Sequence, residues 1–112
     1  MDFSQDLVRG SVLPIILSLL REESMYGYQM VKKVNARTNG LLEWKEGTLY
    51  PALHRLEGAG LIASRWDTLS GKDGGRKRKY YSITPKGRRE LAKRSDEWRL
   101  FSQAVNACLW GA

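Results

Sequence analysis

The stretch LYPALHRLEGAGLIASRW, Leu49 to Trp66, decides the fold. Leu49, Leu53, Leu56 and Ala59 recur at i, i+4, i+7 and i+10, the spacing of one helical face, and Gly58 and Gly60 stop the helix. Pro51 falls near the helix start, so it costs at most one backbone hydrogen bond and bends the first turns. Directly after the stop, Leu61 to Trp66 alternates as a short strand.

Toward the C-terminus, the polar stretch Asp67 to Gly75 contains three glycines and leads into a second strand, Lys79 to Ile83, with Tyr81 and Ile83 on one face. The two strands form a hairpin with a long tip. Thr84-Pro85 then supplies an N-cap residue and a proline at the first helical position, so a last helix starts there and runs toward Leu109. About 26 residues at 1.5 Å each span roughly 39 Å, too long for a compact domain of this size, with its radius of gyration of about 13 Å. The helix must project. Leu91, Trp98, Phe101, Val105 and Cys108 follow heptad-like steps along it, and an apolar seam of that kind needs a partner. The simplest partner is a second copy of the chain.

Toward the N-terminus, Val12, Leu13, Ile15, Ile16, Leu17, Leu19 and Leu20 are apolar nearly all the way round a helix, which is therefore buried on more than one side. Ser11 is its expected cap, with Pro14 in the first turn. A break at Ser24 opens a second helix carrying Tyr26, Met30, Val31 and Val34 on one face, ended by a left-handed cap at Asn39-Gly40. Leu41 to Trp44 is a short extended link to the third helix.

Three helices followed by a hairpin is the order of a winged helix-turn-helix domain. The fold class is mainly α with a small β-hairpin, with residues 1–84 as the winged domain and 85–112 as a dimerisation helix. Charge agrees with this order. The 112 residues hold 19 Lys and Arg against 12 Asp and Glu, a net +7. Ten of the cations and only Asp73 and Glu90 lie between Lys72 and Arg94, a local +8 that leaves the remainder at −1. A charge run is usually a solvated face, but this one includes Gly74 to Lys79 at a hairpin tip, the place of a phosphate-clamping wing. Gly75, Arg76, Lys77 and Lys79 are its candidate contacts. The third helix of such a domain enters the major groove by its N-terminal half, here Lys45, Thr48, Tyr50, Pro51, His54 and Arg55. Lys45 and Arg55 suit guanine edges or phosphate, Thr48 and Tyr50 donate to phosphate oxygens, and Pro51 packs on a thymine methyl. His54, beside Arg55, reads as a DNA-facing or surface residue rather than a catalytic base.

Tyr26-Gly27-Tyr28, the run Gly47 to Leu53 with Arg55-Leu56-Glu57 and Gly60-Leu61-Ile62, and Arg78 to Thr84 with Gly87 resemble the PadR family of transcriptional regulators over about Leu7 to Leu109. The Gly-Thr-Leu-Tyr-Pro segment at Gly47 to Pro51 is the specific part of the resemblance. It implies a winged helix-turn-helix repressor, a homodimer made by the last helix and the first, release from DNA by a small molecule, and the short branch with a single C-terminal helix. In that branch some members stack a flat aromatic ligand on a tryptophan at the dimer centre. Trp98 matches this position, with Phe101 and Val105 beside it. Trp98 also has a plainer reading as dimer packing, and both stand. Tyr26 is the candidate for a phosphate contact and Tyr28 for bracing the third helix.

One His and one Cys provide no triad, metal cluster or phosphate-cradling loop, so no enzyme, cofactor or metal site is expected. The longest apolar run, Val12 to Leu20, is far short of the roughly 20 residues of a membrane span, and Asp2 and Asp6 precede Arg9 where a secretory signal would be basic. A cytoplasmic protein is expected, with double-stranded DNA, a second copy and a small aromatic effector as partners. The competing reading is a winged module that senses a ligand or binds a protein without specific DNA recognition.

Overall fold

The structure, a computed structural model, describes residues 2–68 and 77–111. Its elements are α1 (Gln5–Arg9), α2 (Val12–Glu22), β1 (Met25–Tyr26), α3 (Gly27–Arg37), α4 (Glu46–Gly58), β2 (Ile62–Thr68), β3 (Lys77–Ile83) and α5 (Pro85–Trp110). The three expected helices are α2, α3 and α4, and both strands of the hairpin are longer than the alternation alone predicts. Two elements are additional. The short α1 precedes the apolar run, and β1 turns the hairpin into a three-stranded antiparallel sheet of order β1-β3-β2, pairing Met25 with Tyr81 and Tyr26 with Tyr80.

One core joins these elements. Ile16, Leu17, Leu19 and Leu20 of α2, Met30 and Val34 of α3, and Leu49, Ala52, Leu53 and Leu56 of α4 are all buried, together with Met25, Trp44, Ile62, Tyr81 and Leu91. Ala59 departs from the expected stripe. The helix ends at Gly58, so Ala59 is its exposed C-terminal cap, and Ala52 occupies the buried face instead. Ser11 does not cap α2 either. It has helical backbone angles, and its hydroxyl donates to Val8 O at 2.7 Å, because α1 runs almost directly into α2 and supplies the acceptor. The left-handed turn at Asn39-Gly40 is present, with φ of 51° and 80°.

The start of α5 is fastened to the turn between α4 and β2. Thr84 Oγ1 accepts from Gly87 N at 3.0 Å and donates to Gly60 O at 2.7 Å, while Thr84 N donates to Leu61 O at 3.1 Å. Gly87 and Leu91 are the buried residues of this helix, and every residue from Ser95 to Gly111 except Ser102 is exposed. The projection expected from length is therefore real. The chain measures 58 × 32 × 21 Å and has a radius of gyration of 15.8 Å, above the roughly 13 Å of a compact chain of this length. Among the described residues, no helix is long and apolar enough to cross a membrane.

Candidate nucleic-acid interface

The sequence of α4 divides it into two faces. Leu49, Ala52, Leu53 and Leu56 point into the core, which turns Tyr50, Pro51, His54 and Arg55 outward. Lys45 at the N-cap is exposed, and Thr48 is half-buried. All six positions predicted on this helix thus lie on or beside its outer face.

That face is a ridge between two grooves. One, of about 700 Å³, runs between α1 and the start of α4 and is lined in part by Arg9, Trp44, Lys45, Thr48, Pro51 and Arg55. The other, of about 440 Å³, runs between α4, the start of α3 and the hairpin, where Tyr26, Tyr28, Tyr50, His54, Trp66 and Lys79 line it. An α-helix with its side chains is about 10–12 Å across and the major groove of B-DNA about 12 Å wide, so a ridge of this kind matches it in width.

The second groove is built of aromatic rings and cations. Gln29 Oε1 accepts from Tyr26 N at 2.8 Å, which fixes the first turn of α3. The Tyr26 and Tyr28 rings stack with centroids 6.1 Å apart, and Tyr80 meets Tyr26 edge-on at 5.0 Å. The Arg78 guanidinium lies over both, 5.7 Å from the Tyr26 centroid and 5.2 Å from that of Tyr28, and Lys32 is 5.5 Å from Tyr28. Contacts of this sort order long cationic side chains. The Tyr26 hydroxyl donates to Asp67 Oδ2 at 2.5 Å. That hydrogen bond, with the field of the carboxylate, raises the phenol above its ordinary ionisation range. It also ties the start of α3 to the hairpin.

Of the predicted wing residues, Lys79 lies in β3 beside the second groove, while Gly75, Arg76 and the Lys77 side chain fall outside the described residues. Of the predicted effector residues, Trp98 is 45% exposed, Phe101 63% and Val105 37%, all on the projecting part of α5. They lie apart from α4 and the hairpin in sequence and line neither groove. Two further residues, Arg78 and Trp66, line the second groove without any local sequence pattern to mark them. Arg78 looked like any other member of its charge run, and only the register, Asp67 opposite Arg78 and Arg65 opposite Tyr80, shows which cations the tyrosines hold. Trp66 read as a strand residue, and its exposure follows from where the core stops.

A winged helix with an exposed recognition-type helix flanked by cation-bearing grooves defines the class as a DNA-binding regulator of transcription. The model of the Transcriptional regulator PadR-like family matches residues 16–93, and the chain belongs to that family. It is 37% identical over 106 residues to an uncharacterised protein of Lysinibacillus sphaericus, covering 95% of this chain and 94% of that one. Among solved structures, a transcriptional regulator from Clostridium thermocellum is similar with a TM-score of 0.82 and 39% identity, covering 94% of this chain and 96% of that one. A PadR family transcriptional regulator from Eggerthella lenta has a TM-score of 0.78 and 38% identity over 93% of this chain and 86% of its own.

Proposed function

We propose that the chain is a repressor that acts as a homodimer on an inverted-repeat operator and is released by a planar aromatic molecule held near Trp98. In this reading α4 enters the major groove, with Lys45, Thr48, Tyr50, Pro51, His54 and Arg55 toward bases and the nearest phosphates. Lys79, with Gly75, Arg76 and Lys77 of the wing, takes the flanking backbone, and Tyr26, whose one hydroxyl proton goes to Asp67, borders that path without donating to it. The domain division follows function: residues 1–84 bind DNA and 85–112 join the copies.

The observation that carries the reading is the outward face of α4 set as a ridge between two cation-bearing grooves. The dimer rests on a separate one. Trp98, Phe101, Val105 and Leu109 leave exposed apolar surface on the projecting part of α5, and an exposed patch of this kind marks an interaction site. A two-fold axis through α5 sets two recognition helices on half-sites about one duplex turn, roughly 34 Å, apart.

Footprinting on the region upstream of the chain's own gene, with sedimentation to give the mass of the species bound, tests this. The expected result is a protected inverted repeat, bound by a dimer, with affinity falling steeply as salt rises. Binding that salt leaves unchanged, or no binding to duplex at all, favours the protein-binding module instead.

A further inference from the structure

We infer that Trp66 and Lys79 form a paired clamp on the DNA backbone, the Lys79 ammonium taking a phosphate and the Trp66 indole covering the deoxyribose beside it. This rests on the duplex-binding reading above and adds an apolar contact to it.

The sheet register sets the pair. Trp66 faces Lys79 directly across β2 and β3, as Ser64 faces Tyr81 and Ile62 faces Ile83. Residues directly opposite in an antiparallel ladder project to the same side, and so do alternate residues along a strand. Trp66 and Lys79 therefore continue the inner face that buries Ile62 and Tyr81. The core ends before reaching them. Trp66 is left 62% exposed, a large ring on the face that buries Ile62 and Tyr81.

What stands next to it identifies the cover. Trp66 lines the groove shared with Tyr50 and His54 of α4, the flank that meets DNA when the ridge is in the major groove. Lys79 Nζ lies 5.2 Å from the indole centroid, so a charge that binds phosphate sits against a flat apolar surface the size of a sugar ring. The groove holds Arg78 and Lys79 against one carboxylate, Glu57, and the sequence between Lys72 and Arg94 carries a local +8. Charge complementarity selects a polyanion, and the alternation of phosphate with deoxyribose matches the cation beside the ring.

The two members of the clamp make different predictions. An ammonium on a phosphate releases a counterion, whereas an indole on a sugar does not. Fluorescence anisotropy with a labelled duplex from upstream of the gene, and with a shuffled duplex of the same composition, should show Trp66→Ala weakening both about tenfold with an unchanged salt slope. Trp66→Phe should stay within about threefold of the parent, and Lys79→Ala should reduce the salt slope by about one. In protein carrying 5-fluorotryptophan, the 19F resonance assigned to residue 66 through Trp66→Phe should move on saturation with duplex, a measurement independent of how Trp66→Ala folds. Parent-like binding by Trp66→Ala, or a resonance unmoved at saturation, overturns the clamp while leaving duplex binding intact. A shift of that resonance with protein concentration and no DNA overturns it in favour of a second copy covering the indole. Failure of the parent protein to bind either duplex removes the underlying reading and the clamp together.

Discussion

The ring of Tyr50, on the outer flank of α4, lies against Gly27 at the start of α3, so close that a β-carbon at Gly27 would meet the phenol oxygen at 3.0 Å and two ring carbons at 3.3 Å. The absence of a side chain at one residue thus sets the position of an aromatic ring on another helix. Gly27→Ala should push the half-exposed ring outward while helping the helix slightly through propensity, leaving stability within about 1 kcal/mol of the parent. DNA affinity should fall by roughly fivefold, about 1 kcal/mol, because Tyr50 faces the groove beside the recognition ridge. Tyr50→Phe is the companion measurement. It keeps the ring and removes the donor, so a parent-like affinity assigns Tyr50 to bracing and a loss assigns it to phosphate.

Gly87 is a stricter case. A β-carbon there would stand 2.0 Å from Leu61 O and 2.8 Å from Ile83 Cγ1. The obstacle is backbone, and Leu61 O is already held by Thr84 N. Gly87→Ala should force the root of α5 away from the sheet and cost about 3 kcal/mol in urea unfolding. A stability equal to the parent's would show that this junction yields easily.

The parts of this arrangement that can be read in the sequence are those governed by local periodicity. Leu49, Leu53 and Leu56 announce α4, and Thr84-Pro85 announces the start of α5, because helix stripes and caps are written over a few neighbouring residues. β1 leaves no such trace. It is two residues long and exists through its pairing with Tyr80 and Tyr81 far along the chain. The outer face of α4 follows from its inner one, so its candidate residues were recoverable by subtraction. The roles of Arg78 and Trp66 were not, since both depend on cross-strand register and on where burial stops.

Two tyrosines should ionise late. The hydrogen bond to Asp67 raises the Tyr26 phenol, and burial, with Glu57 nearby, raises Tyr81. An acid whose folded value lies above its unfolded one, near 10, stabilises the fold until pH rises through the folded value, where the contribution is lost. Absorbance titration at alkaline pH should therefore find two tyrosines titrating above the ordinary phenol range. Asp67→Asn should bring one of them back toward the ordinary range, and a single common transition in the parent would contradict the Tyr26–Asp67 contact.

Acid acts through carboxylates. Arg37 donates to Glu22 at 2.5 Å between the ends of α2 and α3, Arg94 donates to Glu90 at 2.9 Å within α5, and both carboxyls are held below the ordinary value of 4.5. With folded values depressed, their contribution is present above that value and lost as pH falls through the folded ones. Thermal midpoints should be level near neutrality and decline below about pH 4.5, with a shallower decline in Glu22→Gln. The Arg37–Glu22 pair is exposed and the Arg94–Glu90 pair half-buried, so moderate salt should flatten mainly the first contribution, and an unchanged decline in Glu22→Gln would mean that this pair adds nothing to stability.

Trp98 separates packing from ligand recognition. Its ring is half-exposed on a projecting helix, flanked by Phe101 and Val105, and the dimer proposed above would bring two such rings near its two-fold axis. A planar aromatic molecule between them should quench tryptophan emission and release the duplex in the same concentration range. Trp44, Trp66 and Trp110 emit as well, so the comparison with Trp98→Ala decides the assignment. If the indole holds the ligand, that variant should remain dimeric by sedimentation while losing about 1 kcal/mol or more of ligand affinity, on the scale of one aromatic pair. If it packs the interface, the variant should dissociate toward monomer and lose DNA binding before any ligand is added. Retained quenching in a dimeric Trp98→Ala protein removes Trp98 from the effector site.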